Sequence, residues 1–251
     1  MDRDEILAPM VRKLQLWRDL TPAEQDAVLA LPNSVRRIEA ARYIVRERDR
    51  TTHSCLLLSG FAFRHKITGD GARSISAVHM QGDIVDLQNS VLGFADHSVQ
   101  ALTAAEVAFI PREAIIDLAF RFPNVGLAMW CDTLVDGSIF REWIANVARR
   151  DAATRLAHLL CEFGIRLEAI GIGDRNSFEL PMTQEQLADA TGLTSVHINR
   201  TLKELEARGL ITRTLRYVAV ADWNGLEQAG DFNTAYLHLP PPPEYGPLNL
   251  N

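Results

Sequence analysis

The chain of 251 residues carries 26 lysines and arginines against 32 aspartates and glutamates, which gives a net charge of −6 at pH 7 with neutral histidines. Its apolar fraction of 47% and charged fraction of 23% are typical of a soluble globular chain with room for two domains. No apolar run approaches the roughly 20 residues that span a membrane, and the acidic start MDRDEIL is no signal peptide, so we expect a cytoplasmic protein without membrane contact.

The first predicted elements are a short helix and a series of strands. In TPAEQDAVLAL, Thr21 is a candidate N-cap and Pro22 fits the first helical turn. Between residues 38 and 111, short β-like runs alternate with turns that contain glycine, and the runs are RYIVRER, SCLLLSG, FAFRHKI, SISAVHM and AEVAFIP. Many short strands with glycine corners predict a β-roll or a small barrel. The turn residues are Gly60, Gly69, Asp70, Gly71, Gly82 and Asp83.

Two helices are predicted after the roll. A small helix in REAIIDLAFRFP ends before Pro123, and a long helix runs from about Asn124 to Arg150. A helix of this length between two domains is expected to pair with its copy in a homodimer, and the alternative is a helix packed only on its own roll. Gly126 and Gly137 weaken its apolar pattern. Its apolar surface consists of Val125, Met129, Leu134, Trp143, Ile144 and Val147.

The C-terminal part begins with an amphipathic helix that is predicted to start at Asp151. The stretch TQEQLADATGLTSVHINRTLKELEARGLI then predicts two helices joined by a tight turn. Thr183 and Gln186 form a capping-box pattern at the start of the first helix. Gly192 is suited to end that helix because it can take a positive φ, and Thr194 is the candidate N-cap of the second helix.

Three spaced residues in this stretch predict a helix-turn-helix. Ala188 lets the helices cross closely, Gly192 makes the turn, and Ile198 fills the space between the helices. The alternative is an ordinary helix pair in a helical core. The following TRTLRYVAVAD predicts two short strands with a tight turn, a wing in which Arg213 and Arg216 are placed for phosphates. Together these patterns indicate a winged helix-turn-helix that binds double-stranded DNA, with a protein-interaction module as the alternative.

The local net charge is compatible with DNA binding but does not by itself predict it. Between residues 183 and 216 five bases stand against four acids, a charge of +1, so the rest of the chain carries −7. So small a basic surface is expected to need two copies. The end of the chain, YLHLPPPPEYGPLNLN, has no core-forming pattern and is predicted to be an extended tail.

The order of roll, long helix and winged helix-turn-helix resembles the Crp/Fnr transcription regulators, named for the cyclic-AMP receptor protein and the fumarate–nitrate reductase regulator. LLLSGFAFRHKITGDGARSISAVHMQGDIVDL is similar to the family's roll, and MTQEQLADATGLTSVHINRTLKELEARGLI resembles its DNA-binding helices. The resemblance implies an α+β fold and a homodimer on a pseudo-palindromic DNA site, with an unknown small-molecule effector and RNA polymerase as further partners. The implied parts are a β-roll effector domain at 1–122, a dimerisation helix at 123–150, a winged helix-turn-helix domain at 151–224 and a tail at 225–251.

The roll departs from the cyclic-nucleotide members of the family. Those members have Gly-Glu-Leu for the ribose and Arg-Ser for the phosphate, whereas this chain has Asp86-Leu87 and His97-Ser98 at these places. Because the phosphate-pairing arginine is missing and Asp86 should repel a phosphate, cyclic AMP is not expected as the effector. By position in the family pattern, the effector-pocket candidates are Asp86, Gln88, Asn89, His97 and Ser98.

The recognition helix also departs from the family. Val196 stands where the best-known members have glutamate, whereas Arg200 keeps the geometry for a bidentate contact with guanine. We therefore expect a half-site other than TGTGA or TTGAT. Ser195, His197 and Asn199 are the candidate base readers, and others contact phosphate. The full set of candidate DNA contacts is Gln184, Thr194, Ser195, Val196, His197, Asn199, Arg200, Lys203, Arg213 and Arg216.

No cofactor, metal site or catalytic residue is predicted. The three cysteines lack a CxxC spacing, and the N-terminal cysteine cluster of the family's iron–sulfur members is not found in the sequence. Haem sensing by a roll histidine remains an alternative, as does a cupin-like metal enzyme. The roll histidines are 12 to 18 residues apart, however, and GxSxG, GxxxxGK[ST] and HExxH are absent. The residues concerned are Cys55, Cys131, Cys161, His53, His65, His79 and His97.

Overall fold

The computed structural model describes residues 6–240, so the proline-rich end that is predicted as a tail lies mostly outside the described residues. In the N-terminal half the elements are α1 (Ala8–Gln15), α2 (Pro22–Leu29), β1 (Ser34–Ile38), β2 (Tyr43–Val45), β3 (His53–Ser59), β4 (Ala62–Ile67), β5 (Arg73–His79), α3 (Asn89–Leu92), β6 (Ser98–Ala101), β7 (Ala105–Pro111) and α4 (Arg112–Arg121). In the C-terminal half they are α5 (Pro123–Arg149), α6 (Ala152–Ala169), β8 (Ser177–Glu179), α7 (Gln184–Thr191), α8 (Ser195–Ala207), β9 (Ile211–Thr214), β10 (Tyr217–Val220), α9 (Trp223–Ala229) and a 3₁₀ turn (Ala235–Leu237).

The β-roll consists of two antiparallel sheets, which confirms the predicted architecture. One sheet has the strand order β1-β7-β3 and the other β2-β6-β4-β5. Apolar side chains from both sheets, such as Leu57 of β3 and Val99 of β6, enclose the interior. Leu56 and Leu58 alternate with Leu57 along β3 and pack instead against helices α1, α2, α4 and α5. Strand β3 is therefore buried on both of its faces.

Helix α5 extends over 27 residues and starts at Pro123, whose fixed φ suits the first helical position. It buries Val125 and Trp143 within its own chain. Gly126 lies where α5 crosses α4, and a Cβ there would come within 2.9 Å of the carbonyl oxygen of Ala119. The glycine that weakens the sequence pattern is thus what allows the two helices to approach closely.

The C-terminal domain is built around α6. Asp151 caps this helix because its carboxylate accepts the Thr154 N–H at 2.9 Å. Helices α7, α8 and α9 contact α6, and the small sheet has the order β8-β10-β9. Among residues 6–240, none of the helices combines the length and the apolar composition needed to cross a bilayer.

The segment after the wing corrects the predicted boundary between residues 224 and 225. Helix α9 extends across that boundary, and Leu226, Tyr236 and Leu237 are buried. At Gly230 a Cβ would lie 2.7 Å from the backbone nitrogen of His158, so this segment contacts α6 directly. The chain up to residue 240 is therefore part of the folded domain, and the predicted tail can apply only to the residues that follow.

Candidate nucleic-acid interface and effector region

The two helices of the helix-turn-helix begin and end where the sequence predicts. Gln186 accepts the Thr183 N–H at 2.8 Å, and Thr183 Oγ1 accepts the Gln186 N–H at 3.2 Å, which completes the capping box. Gly192 has a φ of +66°, so it ends α7 in the left-handed conformation. Thr194 Oγ1 accepts the His197 N–H at 3.2 Å and caps α8.

The core of the helix-turn-helix determines which face of α8 is exposed. Ala188 and Ile198 are buried at the crossing of α7 and α8, and Leu202 and Leu205 continue the buried face of α8. Val196 is apolar as well, but 81% of its surface is exposed. It therefore belongs to the outer face of the helix and not to the packing pattern of the other three α8 residues.

Six of the predicted DNA contacts line one shallow concave surface. They come from the start of α7 and from the first two turns of α8, and the residues are Gln184, Ser195, Val196, Asn199, Arg200 and Lys203. Thr194 is exposed beside them, and His197 is half-buried. The Arg200 guanidinium lies 2.8 Å from the Nε2 atom of His197. The structure thus brings the recognition-helix candidates together on one accessible face.

The two arginines that are predicted to contact phosphate from the wing lie in different surroundings. Arg213 makes two hydrogen bonds with Glu206 of α8, at 3.1 Å and 3.0 Å, so a carboxylate already balances its charge. Arg216 is exposed in the turn between β9 and β10. Leu215 in the same turn has a φ of +57° and is 99% exposed. Of the two arginines, Arg216 is the one that lies at the wing tip, and its guanidinium has no ion-pair partner among residues 6–240.

The effector-pocket candidates do not converge on one site. Gln88 and His97 approach each other, with 3.4 Å between their side-chain nitrogens. Ser98 instead accepts the Glu47 N–H at 3.0 Å. Asn89 is buried, and its side-chain amide has no hydrogen-bond partner among the described residues. Among the five candidates, the structure therefore brings together the side chains of Gln88 and His97, and the Asn89 N–H donates to the backbone carbonyl of Asp86 at 2.8 Å.

The position of Asp86 differs from the one expected from the sequence, in which its carboxylate would repel a phosphate. Its side chain is fully buried and accepts the Cys55 N–H at 2.6 Å. Burial raises the pKa of Asp86 to about 7, so the carboxyl is close to half-protonated at neutral pH. The expected repulsion of a phosphate by Asp86 is thus not supported, because the group is turned into the roll and is only partly charged.

His97 cannot replace the missing arginine as a cation. Its Nδ1 atom lies 2.6 Å from the Asp96 carboxylate, and burial lowers the pKa of His97 to about 4. The imidazole is therefore neutral at pH 7. A neutral ring can donate or accept a hydrogen bond, but it gives a phosphate no charge to pair with.

One cavity beside Gln88, between the roll and α5, is small, and the charged side chains that line it are paired with one another. Its volume is about 40 Å³, whereas pockets for drug-sized ligands measure roughly 300–1,000 Å³. Arg64 lines this cavity, and its guanidinium is held at 2.7 Å by Asp136 of α5. The residues present here do not fit a cyclic nucleotide, because neither the space nor a free cation is provided.

A buried polar cluster at the same place connects the two domains, and sequence reasoning missed it. Asp83 accepts hydrogen bonds from Lys13 of α1 at 2.7 Å and from Arg166 of α6 at 3.2 Å. Burial acts to raise the pKa of Asp83, but Lys13 and Arg166 outweigh it and hold this pKa well below its usual value. The only sequence signal was Gly82-Asp83, which indicates no more than a turn.

Glu162 of α6 extends this cluster into the C-terminal domain. It accepts hydrogen bonds from the Trp143 indole at 2.9 Å and from the Tyr236 hydroxyl at 2.8 Å, and Arg166 lies at 3.3 Å. His158 stacks on Tyr236 with 5.7 Å between the ring centres. The roll, α5, α6 and the C-terminal segment are thus joined by one set of buried hydrogen bonds.

The roll histidines lie in separate surroundings. His65 lies beside the rings of Tyr43 and Phe63, and His79 is 3.7 Å from the Asp83 carboxylate. His53 contacts the hydroxyl of Thr52. Over residues 6–240, no group of three or more histidine, cysteine, aspartate or glutamate side chains is arranged to hold a metal ion.

The outer face of α5 carries an exposed apolar stripe. Residues 127, 130, 134, 137, 141 and 144 recur at alternating intervals of three and four, which is the repeat of a two-stranded coiled coil. Gly137 and Arg141 interrupt the apolar character at the middle of this repeat. The exposed apolar residues of α5 are Leu127, Trp130, Leu134, Phe140, Ile144 and Val147. Of the apolar positions predicted for this helix, Val125, Met129 and Trp143 face the chain's own core instead.

Two protein-family models match the chain. The cyclic nucleotide-binding domain matches residues 35–122, and the Crp-like helix-turn-helix domain matches residues 154–229. The transcriptional activator protein FnrL of Cereibacter sphaeroides is 26% identical over 214 residues, which cover 83% of this chain and 86% of FnrL. The fumarate and nitrate reduction regulatory protein of Escherichia coli K12 is 26% identical over 193 residues, 76% of each chain.

Solved structures with a similar fold are found among related regulators. FixK2 from Bradyrhizobium japonicum superposes with a TM-score of 0.72 at 21% identity, and the match covers 79% of this chain and 98% of FixK2. A CooA mutant from Carboxydothermus hydrogenoformans gives a TM-score of 0.66 at 16% identity, with 88% and 95% covered. These similarities establish that the arrangement of roll, long helix and helix-turn-helix is a fold already known from experiment.

Proposed function

The chain belongs to the Crp/Fnr family of transcription regulators, and we propose that it acts as a homodimer that reads a two-fold-symmetric DNA site. The family consists of transcription regulators and not of enzymes, which confirms the prediction that the chain is not an enzyme.

The exposed face of α8 is the observation that carries the proposal. The N-terminal part of a recognition helix contacts base edges in the major groove. Here that part presents Ser195, Asn199 and Arg200 on one concave, accessible surface. An arginine there can pair through two N–H groups with O6 and N7 of guanine. Val196 offers a methyl surface suited to a thymine methyl group in place of a carboxylate that accepts from cytosine.

The phosphate contacts would come from the edges of this surface. Gln184 and Thr194 flank the recognition helix, Lys203 lies further along it, and Arg216 lies at the wing tip. Contacts of this kind position the protein on the duplex without reading its sequence. Arg213 contributes less, since its guanidinium is paired with Glu206.

Dimerisation along α5 supplies the second recognition helix. The stripe from Leu127 to Val147 exposes large apolar side chains to water along one side of the helix, and burying such side chains against a second copy is favourable. Two recognition helices about 34 Å apart would enter successive major grooves. A two-fold-symmetric protein of this kind recognises a pseudo-palindromic site. The apolar stripe therefore supports a parallel α5 pair.

We further infer that neither cyclic AMP nor an iron–sulfur cluster held by the cysteines of this chain controls the protein. The cavity of about 40 Å³ and the pairing of Arg64 with Asp136 argue against a cyclic nucleotide. Burial raises the pKa of Cys55 well above its usual value and also raises that of Cys161. All three cysteines lie within residues 6–240, where no three histidine, cysteine, aspartate or glutamate side chains are grouped so that they could hold a metal ion.

Any effector would then be a different small molecule, and it would act by favouring one arrangement of the two domains over another. A regulator of this type would work in the cytoplasm, where it meets both DNA and RNA polymerase. Gln88 is the best placed of the five pocket candidates, because it lines the cavity between the roll and α5 and also contacts His97.

The test is selection of bound duplexes from a random library by the full chain and by its Arg200→Ala variant at controlled salt. The expected result is an enriched two-fold-symmetric motif with wild type, and loss of its guanine with Arg200→Ala. If no motif is enriched but duplex DNA is still bound in a salt-dependent way, sequence-specific reading is contradicted. If no duplex binds at all, the helix-turn-helix serves another purpose, such as contact with a protein.

A further inference from the structure

The recognition helix contains a hydrogen bond between the side chains of two of its polar residues. Arg200 and His197 are one turn apart on α8, and the Arg200 Nη2 atom lies 2.8 Å from the His197 Nε2 atom. Thr194 accepts the backbone N–H of His197, so the imidazole is attached to the capped first turn of the helix. The contact therefore joins Arg200 to the most firmly held part of α8.

The chemistry of the two groups fixes the direction of this hydrogen bond. A guanidinium has five N–H donors and no acceptor, so Arg200 donates and Nε2 of His197 accepts. In this bond Nε2 is the acceptor, so the ring N–H of His197 is on Nδ1. One N–H of Arg200 is used in this bond, and the remaining donors suffice for a bidentate contact with guanine O6 and N7.

No other side chain in the described structure holds Arg200. Among residues 6–240 it forms no ion pair, whereas Arg213 is bound by Glu206 and Arg208 lies 3.9 Å from Glu204. Position 196, one turn before Arg200 on the other side, is a valine and has no acceptor. His197 is thus the group that restricts the rotamers of a long, otherwise free side chain.

We propose that His197 is a positioning residue for Arg200 and does not read a base itself. A free arginine loses rotamer freedom when it binds, and a side chain that is already oriented loses less. His197 therefore increases the preference for guanine over other bases at the position that Arg200 reads. This inference rests on the proposed DNA-binding function and names the residue that sharpens its specificity.

The experiment measures equilibrium binding of the full chain to four duplexes that differ only in the base pair facing Arg200. His197→Ala is expected to lower the preference for guanine about fivefold. His197→Gln is expected to restore most of it, because the glutamine carbonyl can accept the same N–H. Binding to non-specific DNA and its salt dependence should be equal in all three proteins, since His197 contacts no phosphate.

A double-mutant cycle separates positioning from base reading. In the Arg200→Ala background, His197→Ala should have no further effect on base preference, because there is no side chain left to position. If His197→Ala changes the preference at a neighbouring base pair and leaves the guanine preference intact, His197 is a base reader and the proposal is wrong. The proposal is also wrong if His197→Ala discriminates as well as wild type.

The outcome for wild type distinguishes this inference from the function on which it rests. If wild type shows no preference among the four duplexes, both the proposed function and the role of His197 are refuted. If wild type prefers guanine and the His197 variants do not differ from it, only the inference fails. His197 is half-buried and contributes no side chain to the buried core, so both variants are expected to fold, which circular dichroism verifies.

Discussion

Removing one exposed leucine from α5 should separate the proposed dimer without disturbing the folded chain. Leu134 lies at the middle of the apolar stripe, and 57% of its surface is exposed within one chain. If a second α5 covers this stripe, the exposed part of the side chain becomes buried in the dimer. Leu134→Ala removes most of that buried surface from both subunits at once.

The size of the effect follows from the exposed fraction. A leucine has three more carbons than an alanine, and each buried methylene contributes about 0.8 kcal/mol. With 57% of the side chain available for burial, the loss is about 1.4 kcal/mol in each subunit and about 3 kcal/mol in the dimer. Since 1.4 kcal/mol corresponds to a tenfold change, the dissociation constant of the dimer should rise about 100-fold.

Sedimentation equilibrium over a wide concentration range, without DNA, measures this constant. The matched control is Leu215→Ala, which removes the same atoms from the 99% exposed wing tip and should leave the dissociation constant unchanged. If Leu134→Ala associates as tightly as wild type while its circular dichroism spectrum is native, the α5 stripe is not the interface. The same conclusion follows if both variants weaken association equally.

Two further predictions concern the folded chain itself. Asp86→Asn should stabilise the protein, and the gain should be greater at pH 8 than at pH 5 by about 3 kcal/mol. The reason is that the folded-state pKa of about 7 lies above the unfolded value of 3.8, so stability is lost as the pH rises from about 4 through about 7. Urea unfolding at both pH values measures the gain, and equal gains would contradict the reasoning. Gly230→Ala should destabilise the protein by about 1–3 kcal/mol, because its Cβ would lie 2.7 Å from the His158 backbone nitrogen. Gly69→Ala, whose Cβ would meet nothing within 4 Å, is the control, and equal urea midpoints for the two variants would show that the C-terminal segment does not pack on α6.

The helix-turn-helix was predictable because its determinants are local. The caps at Thr183 and Thr194 each bond to a backbone N–H three residues away, and the positive φ of Gly192 is a property of one residue. The long helix was predictable for a similar reason, since its length is visible in a single stretch of sequence. The exposure of Val196 follows only from the packing of the neighbouring helices, so the apolar pattern alone did not reveal it.

Other elements depend on partners that are distant in the chain. Four of the five residues of β1 are exposed, so the strand has no apolar alternation and forms because it pairs with β7, where Ser34 faces Phe109. Strand β8 has only three residues. The effector-pocket candidates were chosen by position, and their partners could not be anticipated. The Gln88–His97 contact and the burial of Asp86 both depend on the closure of the roll.

The buried hydrogen bonds between Asp83, Arg166 and Glu162 limit how the domains of such a regulator can be exchanged with those of another regulator. An exchange of the roll for that of another protein would remove Asp83 and leave the Arg166 guanidinium at the junction with one carboxylate fewer. Breaking the buried Asp83–Arg166 ion pair costs up to several kcal/mol, which is a large part of the total stability of a domain. A hybrid that joins two regulators after α5 should therefore fold poorly unless its roll supplies a carboxylate at the position of Asp83. In this molecule the roll and α6 must be matched to each other, although they belong to different domains.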